Sequence, residues 1–334
     1  MKKYSETLFN QFKKFLKLET AKKLKNLLKL LGFKYIIYNF VYFFFSKIIK
    51  SKNYFLKGVV FDTLKHVNDL TIVRGNFNEK FILFTNDNVI SKEMFISGNF
   101  DIIKLERTLE FLNKKKKIKT IYDIGANIGI ICIPAIKRGL IENAYAVEPE
   151  KKNFELLKLN ISLNNLEDKI VPYNYALSNK DDEFVEMEIA TDNYGDHRIK
   201  NKIIFNTHGE EDRKTVKVET KKFDTLFKNI NPLNDLVWMD TQGYEPIVLS
   251  GANNLINSKT PLVLEFWPYA LKRAGLWEKM FEHLKNFDYY VDLSDQNLSA
   301  KKINENAILE LKNGWDNELK GSYSLYTDLI LLKE

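Results

Sequence analysis

The chain reads as an α/β protein built on a doubly wound, mostly parallel sheet. From Ile118 onward, short β-branched runs alternate with amphipathic segments of helical length, a rhythm that produces right-handed βαβ units. Four of the runs end in an acid, two of them next to a glycine turn. At 334 residues and 45% hydrophobic content, the chain can bury a core large enough for such a sheet.

In order, "KTIYDIG" (119–125) predicts a strand and "IGIICIPAIKRG" (128–139) a helix. "NAYAVEP" (143–149) predicts a strand, "EKKNFELLKLNISLNN" (150–165) a helix and "KIVPYNYALS" (169–178) a single strand. The second half continues with the strand and helix of "LVWMDTQGYEPIVLSGA" (236–252) and the strand "PLVLEFWP" (261–268). "EKMFEHLKNFDYYVDL" (278–293) closes the sheet with a helix and a strand. Upstream, "GVVFDTL", "LTIVRGNF" and "EKFILFTND" between 58 and 87 predict short strands, followed by a helix in "DIIKLERTLEFLNKKKKI" (101–118). Its Lys114–Lys117 run reads as a solvated helix end favoured by the dipole. Three regions result: a basic helical extension over 1–58, a strand and turn segment over 59–100, and the α/β domain over 101–334.

Charge separates the extension from the rest. Residues 1–58 hold fourteen lysines against Glu6 and Glu19, a local net of +12, so the other residues sum to −5 within the total of +7. The main body has no electrostatic motive for nucleic acid. Leu8, Phe9, Phe12, Phe15 and Leu16, then Leu24, Leu27, Leu28 and Leu31, recur at helical spacing. The apolar run Tyr35–Ser46 is shorter than the roughly 20 residues a membrane span needs, and no small-residue cleavage site follows it. Packing on the catalytic domain or on a second subunit is one expectation for this segment. Peripheral contact with an anionic inner membrane face is the other. Cys132 stands alone, which excludes an internal disulfide and fits a reducing, cytoplasmic setting.

"YDIGANIG" (122–129) is the stretch that carries chemistry. Aligned on Gly125, a dinucleotide fingerprint would place its further glycines where Asn127 and Ile130 stand, so the motif is not one for NAD. What is present is a carboxylate, Asp123, at a strand end, the Gly125 turn with Ala126 and Asn127, and Gly129 at the start of a helix. Glu148, nineteen residues after Gly129, ends the next strand and suits a ribose diol. This is the pattern of an S-adenosylmethionine (SAM) cradle. SAM carries an ammonium and a sulfonium but no pyrophosphate for a helix N-terminus to hold. Ligands in such sheets sit beyond the carboxyl ends of the strands, which adds Asn174 and Ala176 to the candidate cofactor residues.

The order "YDIGANIG", "AVEP", "NYALS", "KKFDTL", "MDTQGYEPIVLSGA", "LVLEF" and "YTDLILL" resembles the FkbM family of SAM-dependent methyltransferases over residues 92–334. The resemblance implies a Rossmann-like class I methyltransferase sheet of seven strands with an antiparallel terminal strand. It also implies transfer to oxygen in most cases and frequent association with glycan or secondary-metabolite pathways. The expected activity is O-methylation of a saccharide hydroxyl; a small-metabolite acceptor, or an inert relative serving as a membrane or glycan-assembly scaffold, are the alternatives. Many relatives have a lysine where this chain has Trp238.

An unactivated hydroxyl acceptor needs a base, and Asp240, Glu265 and His197 are the candidates. Each has a structural reading beside the catalytic one: Asp240 as a helix cap, His197 as a loop residue of "DNYGDHRI" (192–199). Glu245 can orient donors of its own turn, and Asp224 can cap a helix. Phe266, Trp267 and Tyr269 offer either a stacking wall or core. The four histidines are dispersed and the single cysteine packs, so a metal-free site is expected ahead of an oxygen-ligand site on Asp240 and Glu265.

Overall fold

The computed structural model describes residues 43, 53–114, 117–201, 210, 212–318 and 325–334. The chain divides into two compact units, Met1–Val60 and Phe61–Glu334. Apart from Phe43 and residues 53–58, the basic extension expected over 1–58 lies outside the described residues, as do Lys115 and Lys116 of the lysine run. No helix among the described residues is long and apolar enough to cross a membrane.

"GVVFDTL" is helical, within α1 (Tyr54–Leu64), where the β-branched pair suggested a strand. Phe61 and Asp62 both reach helix α2 (Ile90–Ser97): the Phe61 ring lies 5.4 Å from that of Phe95, and the Asp62 carboxylate pairs with Lys92 at 2.7 Å. Adjacent residues of a strand point to opposite faces, so a strand could not satisfy both contacts.

The two runs that follow do form strands, β1 (Leu70–Arg74) and β2 (Lys80–Phe84), an antiparallel pair. The hairpin is fastened to the domain by two asparagines of helix α5 (Lys151–Leu163) and its C-terminal end. Asn160 accepts from Ile82 N at 2.7 Å and donates to the Ile82 and Ile128 carbonyls, while Asn164 accepts from Lys80 N at 2.9 Å and donates to the Lys80 carbonyl at 2.7 Å. The two side-chain amides thus serve as an extra strand for β2.

The large sheet takes shape after helix α3 (Ile102–Leu112). Its strands are β3 (Thr120–Ile124), β4 (Asn143–Val147), β5 (Ile170–Tyr173), β10 (Asp235–Met239), β11 (Leu262–Phe266), β12 (Tyr289–Asp292), β13 (Lys301–Lys302) and β14 (Thr327–Leu332), in the order β13-β12-β14-β11-β10-β3-β4-β5. From β11 to β5 neighbours are parallel, and the final strand β14 runs antiparallel to both its neighbours. This is the doubly wound Rossmann-like sheet of seven strands, with the two-residue β13 added at one edge. Alternate residues feed separate cores. Ile121, Trp238, Val263 and Ile330 pack with α3, α5 and helix α4 (Cys132–Lys137) on one face. Tyr122, Val237, Leu264 and Leu329 pack on the other with α7 (Glu245–Leu249), α8 (Asn253–Asn257) and α9 (Trp277–Leu284).

"KIVPYNYALS" is not one strand. β5 ends at Tyr173, and β6 (Ala176–Leu177) belongs to a smaller sheet with β7 (Phe184–Ile189), β8 (Arg198–Ile199) and β9 (Lys214–Lys221), in the order β6-β9-β7-β8. Asn174 breaks the run by turning its amide onto the Glu148 and Pro149 carbonyls at 2.8 and 3.1 Å. Asp224, in the short helix α6 (Phe223–Leu226), accepts from Asn254 N at 3.1 Å and so caps α8.

Replacing Asn160 with Ala strips three backbone groups of their partner in a fully buried setting, and Asn160→Ala is expected to destabilise the protein by about 2–4 kcal/mol in urea unfolding.

Candidate active site

The strand order turns around between β3 and β10: the chain winds outward from β3 through β4 and β5 on one side, and through β10 and β11 on the other. Such a reversal leaves a crevice at the carboxyl ends of the two central strands. A cavity of about 330 Å³ lies there, lined among others by Asp123, Gly125, Asn127, Glu148, Ala176, His197, Asp240 and Glu265.

Gly125 makes the crevice sharp. Its φ is +91°, and a Cβ on it would sit 1.8 Å from the Asp240 carbonyl oxygen. Its N–H and that of Ala126 donate to the Val147 carbonyl at 2.9 and 3.0 Å, so the turn folds across the end of β4. Gly129, also at +91°, has a different reason: a Cβ there would strike Ile133 and Leu157 inside the helix layer. It serves packing behind the site, and neither it nor Ala126 lines the cavity; Asn174 acts from behind as well, through the Glu148 and Pro149 carbonyls.

Glu148 is buried, with Oε2 accepting from Asn127 N at 2.9 Å and Oε1 from Glu150 N at 2.8 Å. Burial pushes its carboxyl up to about 8 against those two donors, and pushes Asp123 up to about 7. Asp123 keeps one oxygen, Oδ2, buried without a hydrogen-bond partner. The donor set suits SAM: each Glu148 oxygen retains a lone pair for a ribose hydroxyl, and Asp123 offers charge to a cationic methionine end. Asn127, at φ +51°, spends its own amide on the architecture, donating to the Tyr194 carbonyl at 2.9 Å, to which Asn153 also donates at 3.0 Å.

Across the cavity, the turn after β10 brings acids together. Glu245 Oε1 accepts from Thr241 N at 2.7 Å, Thr241 Oγ1 at 3.0 Å and Gly243 N at 3.3 Å, so it does orient the donors of its own turn. Gln242, held at φ +57°, donates from Nε2 to Asp240 Oδ1 at 2.6 Å and to Glu265 Oε2 at 3.1 Å. Desolvation raises all three carboxyls, Asp240 to about 6, Glu245 to about 7 and Glu265 well above its usual range. Beside them Lys104 pairs with Asp328 at 2.9 Å and Asp101 at 3.0 Å. Burial pulls the Lys104 ammonium down, but the two carboxylates outweigh it, and the group is held in its charged form.

His197 lies in the wall formed by the small sheet. Its Nδ1 accepts from Ala190 N at 3.1 Å, which assigns the ring proton to Nε2. Burial lowers its pKa to about 4, so the ring is neutral at ordinary pH and presents a donor. The three aromatics after β11 separate: Phe266 packs in the core against Trp277 and Phe281, while Trp267 lines the cavity with the Arg198 guanidinium 4.5 Å from its ring. Tyr269 donates to Glu210 at 2.8 Å within a buried group of ion pairs that joins Arg198, Arg213 and Arg273 to Asp196, Glu188 and Glu210. Lys104, Gln242, Tyr194 and Asp328 line the cavity without having been singled out from the sequence. Of these, only Asp328 carried a signal, as an acid inside the apolar run "YTDLILL".

Asp123 and Glu148 both hold their proton more tightly in the folded chain than in an unfolded one, where carboxyls titrate near pH 4. Each therefore stabilises the fold fully below about pH 4, and this contribution is lost as the pH rises through about 7–8. Thermal midpoints should fall between about pH 4 and pH 8, and the fall should be shallower in Glu148→Gln.

Three solved structures are weakly similar to this chain. Methyltransferase FkbM from Methylobacillus flagellatus KT is 14% identical, the match covering 64% of this chain and 44% of that one, with a TM-score of 0.37. The chain thus spans less than half the length of that protein. The B. subtilis M1A22 tRNA methyltransferase TrmK is 11% identical over 69% and 65% of the two chains, TM-score 0.35. M. jannaschii TYW2, solved in complex with AdoMet, is 13% identical over 79% and 85%, TM-score 0.37. No curated protein matches the sequence. The pattern of the methyltransferase FkbM domain matches residues 123–291, from Asp123 near the end of β3 into β12. That match takes in half of the chain and most of the cavity, and it establishes that the protein belongs to the FkbM methyltransferase family.

Proposed function

We propose that this methyltransferase methylates a hydroxyl oxygen of a saccharide in the assembly of a glycan or cell-surface polysaccharide. The observation that carries this reading is the pairing, in one cavity, of a cofactor end built on Asp123 and Glu148 with an acidic end built on Asp240 and Glu265.

Bound SAM supplies a methyl group on sulfonium; the new C–O bond forms as C–S breaks, and sulfur keeps the electron pair. The protein's part is to hold the acceptor oxygen in line and to take its proton. Asp240 is suited to taking the proton, because with its carboxyl near 6 it is mostly ionised at neutral pH, and Gln242 fixes one of its oxygens. Glu265 lines the same end, and Gln242 holds its Oε2, so that its other oxygen faces a second group of the acceptor. His197 adds an Nε2 donor from the facing wall, and Trp267 an aromatic surface for a sugar ring. Much of the acceleration would come from this positioning.

Calorimetry tests the cofactor end. SAM should bind the parent chain, Glu148→Ala should weaken it at least about 10-fold, and NADH should not bind; absence of SAM binding would overturn the reading. At the acidic end, Asp240→Asn is expected to lower kcat by about 100-fold or more with SAM affinity little changed, measured by transfer of labelled methyl to a saccharide panel beside small-metabolite acceptors. Labelling of the metabolites alone would remove the saccharide assignment.

A further inference from the structure

We propose that Asp240, Glu245 and Glu265 form a binding site for one divalent cation of the hard, oxygen-seeking kind, Mg²⁺ or Mn²⁺, at the acidic end of the cavity.

The first support is geometric. Each of the three carboxyls offers an oxygen, and those oxygens all lie within 4.8 Å of one another. Opposite ligands of an ion bound at about 2.1–2.4 Å are about 4.2–4.8 Å apart, so the three can share one ion with small adjustments. They come from three places in the chain: the end of β10, the start of α7 and β11. No loop closure is needed to assemble them.

The second support is independent of the clustering. Glu245 is wholly buried, and while Oε1 takes three donors from Thr241 and Gly243, Oε2 has no hydrogen-bond partner. A buried carboxylate oxygen left bare is costly, and a bound cation removes the cost. The neighbouring positive charge does not do so: Lys104 is engaged by Asp328 and Asp101. Gln242 is a neutral donor and spans only Asp240 and Glu265. Turning its amide over would put Oε1 where Nε2 now points, adding a fourth oxygen without moving the backbone. An all-oxygen set favours a hard ion over zinc or copper.

The role of the ion rests on the proposed function: beside an acceptor hydroxyl it would hold the oxygen and ease loss of its proton to the free Asp240 oxygen. Binding of the ion does not rest on that function. The test is therefore run on the full chain without SAM, by Mn²⁺ titration followed by electron paramagnetic resonance and by calorimetry with MgCl₂. One site per chain is expected, weakened at least 10-fold in Glu245→Gln and again in Glu265→Gln, with circular dichroism checking that each variant folds. If Glu245→Gln does not fold, Glu265→Gln and Asp240→Asn carry the same comparison. No binding at millimolar ion, or binding unchanged by all the folded variants, overturns the proposal. SAM binding is measured on the same samples: SAM without Mn²⁺ sinks the cation site alone, and Mn²⁺ without SAM sinks the methyl-transfer reading alone.

Discussion

The close approach of the Gly125 turn to the Asp240 carbonyl is the constraint on which the site depends. With a Cβ at residue 125 the two central strands could not end side by side, since that atom would lie 1.8 Å from a backbone oxygen. Because they do end together, Asp240 N can donate to the Ile124 carbonyl at 2.9 Å, and the acids that finish β3 and β10 face one crevice. The glycine-turn end and the acidic end of the cavity are two consequences of one backbone contact at the point where the strand order reverses.

A second consequence is electrostatic. Packing Asp123, Glu148, Asp240 and Glu265 around one small volume, with Glu245 buried behind it, strips their water and raises every one of them. A cavity of this kind stores an unmet demand for positive charge, and a sulfonium donor answers it at one end. The same demand explains why Lys104, reaching in from α3, stays charged despite its burial: two carboxylates hold it. It is thereby held in its protonated form.

Asparagine amides perform much of the joining. Asn160 and Asn164 seal the β2 edge against α5, Asn174 redirects the chain from the large sheet to the small one, and Asn127 with Asn153 anchors the Tyr194 carbonyl of the facing wall. In each case a side-chain amide supplies the donor or acceptor that a strand neighbour would otherwise provide, which lets short segments leave the sheet without orphaning backbone groups. The wall over the cavity is thus tied to the cofactor turn through Asn127, the residue that departs from the dinucleotide pattern.

Local pattern was enough to read the core strands, because each is a short apolar run, and β3 and β10 each end in an acid at a glycine turn. That Asp123, Gly125, Glu148, Asp240 and Glu265 would stand at strand ends could be read from spacing, and all five line the cavity. Where two local signals compete, the sequence is silent: "GVVFDTL" has β-branched residues yet becomes a helix, because Phe61 and Asp62 both find partners on α2. "KIVPYNYALS" looks continuous yet breaks where Asn174 finds two carbonyls. Contacts between residues far apart in the chain decided those cases. They also decided that Gly129 serves packing, that His197 has its Nδ1 engaged, and that Glu245, Glu265 and Asp240 converge, since distances between residues remote in the chain are set by how the layers close and by nothing in the local order of residues.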